Sequence, residues 1–190
     1  MNYYCDISLL PDAESNLGYL WEKVYAQVHL ALVENQKTSV SKVALSIPGY
    51  GNKPFPLGNK LRLLASNESE LEQLKLSKWL NRLQDYCHIT SVKPVPHTEG
   101  FVNFSRRQFK MNPERLARRR AKRHNESFEQ ALEYFKGMDE QVTKLPFIQV
   151  KSLSNNTHFP LFIEKTSQTQ MVDGEFNCYG LSKTATVPWF

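Results

Sequence analysis

The chain has 190 residues, of which 41% are hydrophobic and 12% aromatic, enough to bury a core and too many for a globally disordered protein. No run approaches the roughly 18 consecutive apolar residues of a membrane span, and Met1 to Asp6 lacks the basic start and apolar run of a signal peptide. The net charge is only +5, yet nine cations stand against Glu114 alone between Arg106 and His124, a local +8 that leaves about −3 for the rest of the chain.

Tyr3 to Leu10 predicts a strand, closed by Pro11-Asp12. From Leu17 to about Val33, apolar residues at Leu17, Leu20, Trp21, Val24, Val28, Ala31 and Leu32 recur at the spacing of a helix with one buried face. Val43 to Pro48 and Leu61 to Ala65 read as short strands joined by a Gly-, Asn- and Pro-rich loop. Ser66-Asn67 offers a cap for a second amphipathic helix that carries Glu68, Glu70, Leu71, Leu74, Leu76, Trp79, Leu80 and Leu83. Tyr86 to Val95 then predicts a further strand. The order β-α-β-β-α-β is the ferredoxin-like arrangement, shared with RRM modules. The expected fold is therefore α+β, with a ferredoxin-like (RRM-like) domain over residues 1–97.

Pro94, Pro96 and His97 to Gly100 read as a linker into a second domain, residues 98–190. The basic segment comes next, followed by a helix near Ser127 to Gly137 and strand-like runs at Phe147 to Leu153 and Phe159 to Lys165, which predict a small sheet. Asp173 to Phe190 has no clear period, and the chain has no internal repeat or low-complexity tract.

Asn112-Pro113-Glu114 starts a helix expected over 112–124, with Asn as cap, Pro at the first helical position and Glu near the positive end of the dipole. Six cations follow in nine positions, from Arg115 to Arg123. Arg115, Arg119, Lys122 and Arg123 share one face, where like charges repel by a few tenths of a kcal/mol per pair; Arg118 and His124 extend the cluster. A charge run is usually a solvated face, but such faces mix Glu with Lys. This one is nearly pure arginine with Leu116 as its only large apolar anchor, so the reading is nucleic-acid binding. Charge does not separate DNA from RNA. The ferredoxin-like order leans toward RNA, although no RNP-type aromatic motif is present. A regular A-form major groove is too narrow for a helix, which points to a hairpin whose groove opens near its loop or end.

The acids are scattered, and the five histidines, His29, His88, His97, His124 and His158, lack metal-ligand spacing. Three distant cysteines, Cys5, Cys87 and Cys178, suit neither a disulfide framework nor a zinc cluster. No metal and no cofactor is expected, and the location expected is a reducing cytoplasm. A neutral imidazole can accept a proton near pH 7, so His29 is chemically suited to act as a base. Taken alone, a histidine beside the apolar stripe of a helix is more often an edge residue in packing.

One ordered set of segments is similar to a known family. Asn112-Pro113-Glu114-Arg115-Leu116 with the arginine run to Arg123-His124, Leu145-Pro146-Phe147, Ser152-Leu153-Ser154, His158-Phe159, Cys178-Tyr179-Gly180-Leu181-Ser182-Lys183 and Val187-Pro188-Trp189-Phe190 resemble the type I-F CRISPR-associated endoribonuclease. Tyr4, Asp6, Ile7, Leu9 and His29 to Leu32 extend the resemblance across the chain. It implies cleavage of precursor CRISPR RNA at the base of the repeat stem-loop, without metal, by attack of a ribose 2′-hydroxyl. The products are a 2′,3′-cyclic phosphate and a 5′-hydroxyl. It further implies a monomer when free, retention of the mature crRNA hairpin, and assembly with other subunits of the type I-F interference complex.

Residue by residue, the resemblance makes His29 the proton-transferring group, Ser152 the serine that constrains the nucleophilic ribose, Ser154 the second serine of that motif and Tyr179 an active-site phenol. Arg106 and Gln108, expected in the linker, would read bases low in the stem, since Arg suits guanine and Gln suits adenine. Arg119 and Arg123 would contact the major groove and phosphates, with Arg115, Arg118 and His124 beside them, and Phe159 would stack near the cut. Lys122 departs from the family's arginine and keeps a phosphate contact while losing the fork. Arg107 is an additional cation between the two reading residues. On residues alone a non-catalytic RNA-hairpin or DNA-binding protein stays open, because one lost histidine would abolish chemistry and leave binding intact.

Overall fold

The computed structural model describes residues 1–36, 40–98, 100–109, 113–136, 143–152 and 156–190. They form two compact units, Met1–Arg107 together with Leu145–Phe190, and Gln108–Lys144.

The first unit begins with β1 (Tyr3–Leu9), α1 (Leu17–Glu34), β2 (Val40–Ser41), β3 (Ala44–Ser46) and β4 (Lys60–Ala65). Then come α2 (Glu68–Glu72), α3 (Leu76–Trp79), a 3-10 turn at Asn81–Leu83, β5 (Cys87–Ile89), β6 (Lys93–Pro94) and β7 (Phe101–Arg107). The second unit holds α4 (Pro113–His124) and α5 (Phe128–Glu133). The chain then returns to the first unit as β8 (Phe147–Lys151), β9 (His158–Gln168), β10 (Phe176–Asn177) and β11 (Val187–Pro188).

One sheet runs β3-β4-β1-β5, with β6 also paired to β1, and every pairing is antiparallel. Its first and third main strands, β1 and β4, lie in the middle, the ferredoxin-like order expected from the sequence. A second antiparallel sheet runs β11-β7-β9-β8, and β10 pairs with β2. The fold is α+β.

Helix α1 is capped by the Asn16 side chain, which accepts from the Tyr19 N–H, and it buries Leu20, Trp21, Val24, Tyr25, Val28, Ala31 and Leu32. Each large buried apolar side chain contributes about 1.5–3 kcal/mol. That stripe follows the expected one from Leu20 to Leu32, with Tyr25 added and Leu17, at the start of the helix, only partly buried. Because α1 is anchored along this face, His29 at its edge has a fixed position relative to the sheets.

Two expectations need correction. The helix expected to run on from Asn67 is interrupted at Lys75, which takes the left-handed conformation at φ 49° and ψ 46°. Leu74 and Leu76 are two residues apart, about 200° around a continuous helix, so both could not face one core. The break lets both be buried, along with Leu71 and Leu80. The segment after Gly100, expected as linker, is instead strand β7, whose Val102, Asn103, Phe104 and Ser105 are buried and whose end carries Arg106 and Arg107.

A buried ion pair joins the two central strands. Arg62 on β4 donates to both carboxylate oxygens of Asp6 on β1 at 2.7 and 3.0 Å, and to the Phe190 carbonyl at 2.6 Å. Its guanidinium lies 3.9 Å from the Phe190 ring centroid and 4.7 Å from that of Tyr4. Beside it, burial pushes the Cys5 thiol up to about 12, so this cysteine is a small apolar packing group. In the second unit, Ala117 of α4 and Ala131 of α5 are buried, and Ser127 caps α5 in a capping box with Gln130. Asn112, the expected cap of α4, lies outside the described residues. No helix among the described residues is long and apolar enough to cross a membrane.

Candidate active site

Four elements of the first unit meet at His29. Helix α1 supplies the histidine, a turn at Asn177 to Leu181 supplies Cys178 and Tyr179, β7 supplies Arg106 and the start of β9 supplies Phe159. The His29 ring lies parallel to the Tyr179 ring, 4° between planes and 4.5 Å between centroids. Tyr25, one turn earlier on α1, is parallel to His29 at 6.4 Å. The Arg106 guanidinium lies 5.2 Å from the Tyr179 centroid and 5.4 Å from that of Phe159.

The turn is built to hold one carbonyl in place. The Asn177 side chain accepts from the backbone N–H of Tyr179 at 2.9 Å and of Leu181 at 3.3 Å. Gly180 has φ +71°, and a Cβ there would sit 3.0 Å from the Leu45 Cβ, so the position calls for glycine. The buried Tyr25 hydroxyl donates to the Tyr179 carbonyl at 3.1 Å. Burial pushes the Tyr25 phenol up, which keeps it a neutral donor.

His29 Nδ1 lies 2.9 Å from the Cys178 carbonyl oxygen. A carbonyl only accepts, so in the neutral ring Nδ1 carries the hydrogen and Nε2 keeps a lone pair. Burial lowers the His29 pKa from its ordinary value, and the hydrogen bond to Cys178 opposes that shift in part. The net result favours neutral imidazole at neutral pH, with a defined tautomer.

Ser152 follows β8 and its N–H donates to the Thr157 carbonyl at 2.8 Å, where the β8–β9 hairpin closes. Its neighbour Lys151 lines the same cavity as His29. Ser154 lies outside the described residues. Arg107, the additional cation, points to Glu164 with Nε 3.3 Å from the carboxylate. Gln108 is exposed and opens the second unit.

On α4 the cations fall into two groups. Arg118 pairs with Glu114 at 3.1 Å in an exposed i,i+4 contact. Arg120 makes a close ion contact with Glu126 at 2.7 Å, not aligned as a hydrogen bond, and its guanidinium lies 4.0 Å from the Tyr134 centroid. Arg119, Lys122 and Arg123 are exposed and have no carboxylate partner among the described residues. They occupy positions i, i+3 and i+4 and so share one face. Arg115 and His124 are exposed as well.

The family model described as "CRISPR-associated protein (Cas_Csy4)" matches residues 4–190. The chain belongs to this family. Two relatives named "CRISPR-associated endonuclease Cas6/Csy4" align with the whole chain and over their own full length. One, from Escherichia coli (strain UTI89 / UPEC), is 39% identical, and the other, from Pseudomonas aeruginosa (strain UCBPP-PA14), is 36% identical. A solved structure described as "Characterization of a Cas6-related gene from Pyrococcus furiosus" covers 98% of this chain and 99% of that chain at 9% identity and TM-score 0.39, too loose a likeness to add to the argument.

Within this Cas_Csy4 chain, sequence reasoning missed Tyr25 as a support of the site and missed the Cys178 carbonyl as the partner of His29. A signal existed for each. Tyr25 lies four residues before His29 on a helix, hence on the same face. Asn177 and Gly180 are turn residues at a spacing that closes one tight loop.

Proposed function

We propose that this chain, a CRISPR-associated endonuclease by family, is a metal-independent endoribonuclease that cuts precursor CRISPR RNA at the base of its repeat stem-loop. The observation that carries the reading is the His29 geometry: Nδ1–H donates to the Cys178 carbonyl and the ring is stacked on Tyr179, which leaves Nε2 as a preset base. In the reaction, Nε2 takes the proton of a ribose 2′-hydroxyl. The 2′-oxygen attacks the adjacent phosphorus and the bond to the 5′-oxygen breaks. That oxygen leaves as a hydroxyl after gaining a proton, and the phosphate closes into a 2′,3′-cycle.

Ser152 is the residue we assign to holding the nucleophilic ribose, with Ser154 supporting it, while Tyr179 braces the imidazole by stacking. Arg106 and Gln108 read bases low in the stem, and Phe159 stacks near the cut. Arg119, Lys122 and Arg123 engage the stem's phosphates and groove, because cations without a carboxylate partner gain most from a polyanion, and Arg115, Arg118 and His124 are assigned to the RNA beside them. Arg107, paired with Glu164, is the additional cation next to Arg106 on β7. The domain division at residue 97, a monomeric free state, cytoplasmic location, retention of the crRNA hairpin and docking to other type I-F interference subunits belong to the same proposal.

The test is cleavage of a CRISPR-repeat hairpin RNA in excess EDTA, followed by analysis of the product ends. The expected products are one 2′,3′-cyclic phosphate and one 5′-hydroxyl. Dependence on added divalent metal, or a 5′-phosphate on the product, overturns the mechanism.

A further inference from the structure

The side of α1 that carries His29 also borders a cavity of about 600 Å³ whose other walls come from α3, the 3-10 turn and β8. His29 lines it, and the apolar wall includes Leu30, Trp79 and Val150. Trp79 is half-buried, so part of its indole faces the cavity. Lys78, Arg82 and Lys151 line the same space, are exposed, and have no carboxylate partner among the described residues. Of the two acids that line it, Glu22 already pairs with Lys23 at 2.9 Å, and Glu34 alone faces the three cations.

An aromatic face flanked by unpaired cations matches single-stranded nucleic acid: the ring stacks a base and the cations follow the phosphates. An apolar protein segment docking on this wall would leave the three cations uncompensated. Position narrows the occupant. A phosphate at His29 has two flanks. Tyr179 stacks on His29, and Arg106, whose guanidinium lies over Tyr179 and Phe159, adjoins it on that side and is the residue assigned to the stem. The cavity adjoins His29 separately, beside Lys151 and thus next to Ser152.

We propose that this cavity binds the single-stranded RNA on the 3′ side of the cut, the strand that leaves with the 5′-hydroxyl, with one base stacked on Trp79 and its phosphates on Lys78, Arg82 and Lys151. The inference rests on His29 acting at the scissile phosphate. The cavity then fixes the leaving strand relative to the attacking 2′-oxygen, favouring the in-line arrangement that displacement at phosphorus requires.

The experiment compares two uncleavable hairpins with 2′-deoxyribose at the cut site, one ending there and one continuing for about six nucleotides on the 3′ side, enough to fill a groove of single-strand size. Dissociation constants are measured for the unmodified protein, Trp79→Ala, and the double variant Lys78→Ala/Arg82→Ala. For the unmodified protein the 3′ flank should tighten binding at least about fivefold, the lower end for one stacked base. Each variant should lose most of that gain while binding the flankless hairpin as before, which also shows that it is folded. An equal flank on the 5′ side should give no gain that depends on Trp79. A 3′ flank without effect, as expected were the cavity to dock a protein, or a gain that survives in both variants, overturns the inference. Were the unmodified protein to bind the hairpin without cutting an all-ribose version, the reading of His29 would fail first, and the flank measurement would still report on the groove.

Discussion

The groups that position His29 are paired: Nδ1 holds a carbonyl, Tyr25 holds the turn that presents it, and Asn177 ties two N–H groups of that turn. On α4 the opposite holds for Arg119, Lys122 and Arg123, which stand exposed on one face without a carboxylate partner among the described residues. The contrast follows from what each region does. Proton transfer needs one lone pair fixed in direction, so its surroundings are satisfied and partly dry. Electrostatic binding needs charge left uncompensated until a polyanion arrives.

The largest test of that division is His29→Ala. Cleavage should fall by roughly 10²–10⁴-fold, the usual worth of a general base, while hairpin affinity stays nearly unchanged. Cutting that persisted would remove His29 from the chemistry. The mirror experiment is the double variant Arg119→Ala/Arg123→Ala. Affinity should drop and the slope of log K against log salt should flatten by about one unit per lost phosphate contact. An unchanged slope would place both residues off the RNA.

A smaller effect separates a buried base from an ordinary one. Burial lowers the His29 pKa of the free protein and the neutral form is the base, so the second-order rate constant of cleavage, measured with protein below saturation, should rise with pH through a midpoint below the ordinary value of about 6.5 and stay flat above it. A midpoint above that value contradicts a desolvated imidazole. The smallest change expected comes from Tyr25→Phe, which deletes one hydrogen bond to the Tyr179 carbonyl. Stability should fall by about 0.5–1.5 kcal/mol in chemical denaturation, and cleavage should slow without loss of affinity. Weakened binding instead would mean that the two regions are less independent than they look.

The α4 helix was legible in the sequence because charge is a local property and survives any packing. The order of the ferredoxin-like strands was legible because β1, β4 and α1 carry strong periodic patterns. Strand β7 was not, since it lies between a proline-rich stretch and the arginine run, and its buried face includes Asn103 and Ser105, held by the second sheet and not by an apolar pattern. Asn103 is satisfied by the carbonyls of Ser182 and Ala185 at 3.1 and 2.7 Å, contacts about 80 residues away in the chain. The break at Lys75 was hidden for a related reason: each leucine around it fits a helix, and only the shared core rules out one continuous helix. His29 was singled out by the family resemblance, and its chemistry made it suitable as a base. Its tautomer was beyond reach, because the deciding partner, Cys178, is 149 residues away.

The most direct test of the central claim replaces the one ribose at the cut site by deoxyribose and leaves the rest of the repeat hairpin unchanged. The account predicts that the protein binds this RNA as tightly as the all-ribose hairpin and does not cut it. Cleavage at that position, with the 2′-hydroxyl gone, would contradict internal attack and the role given to His29.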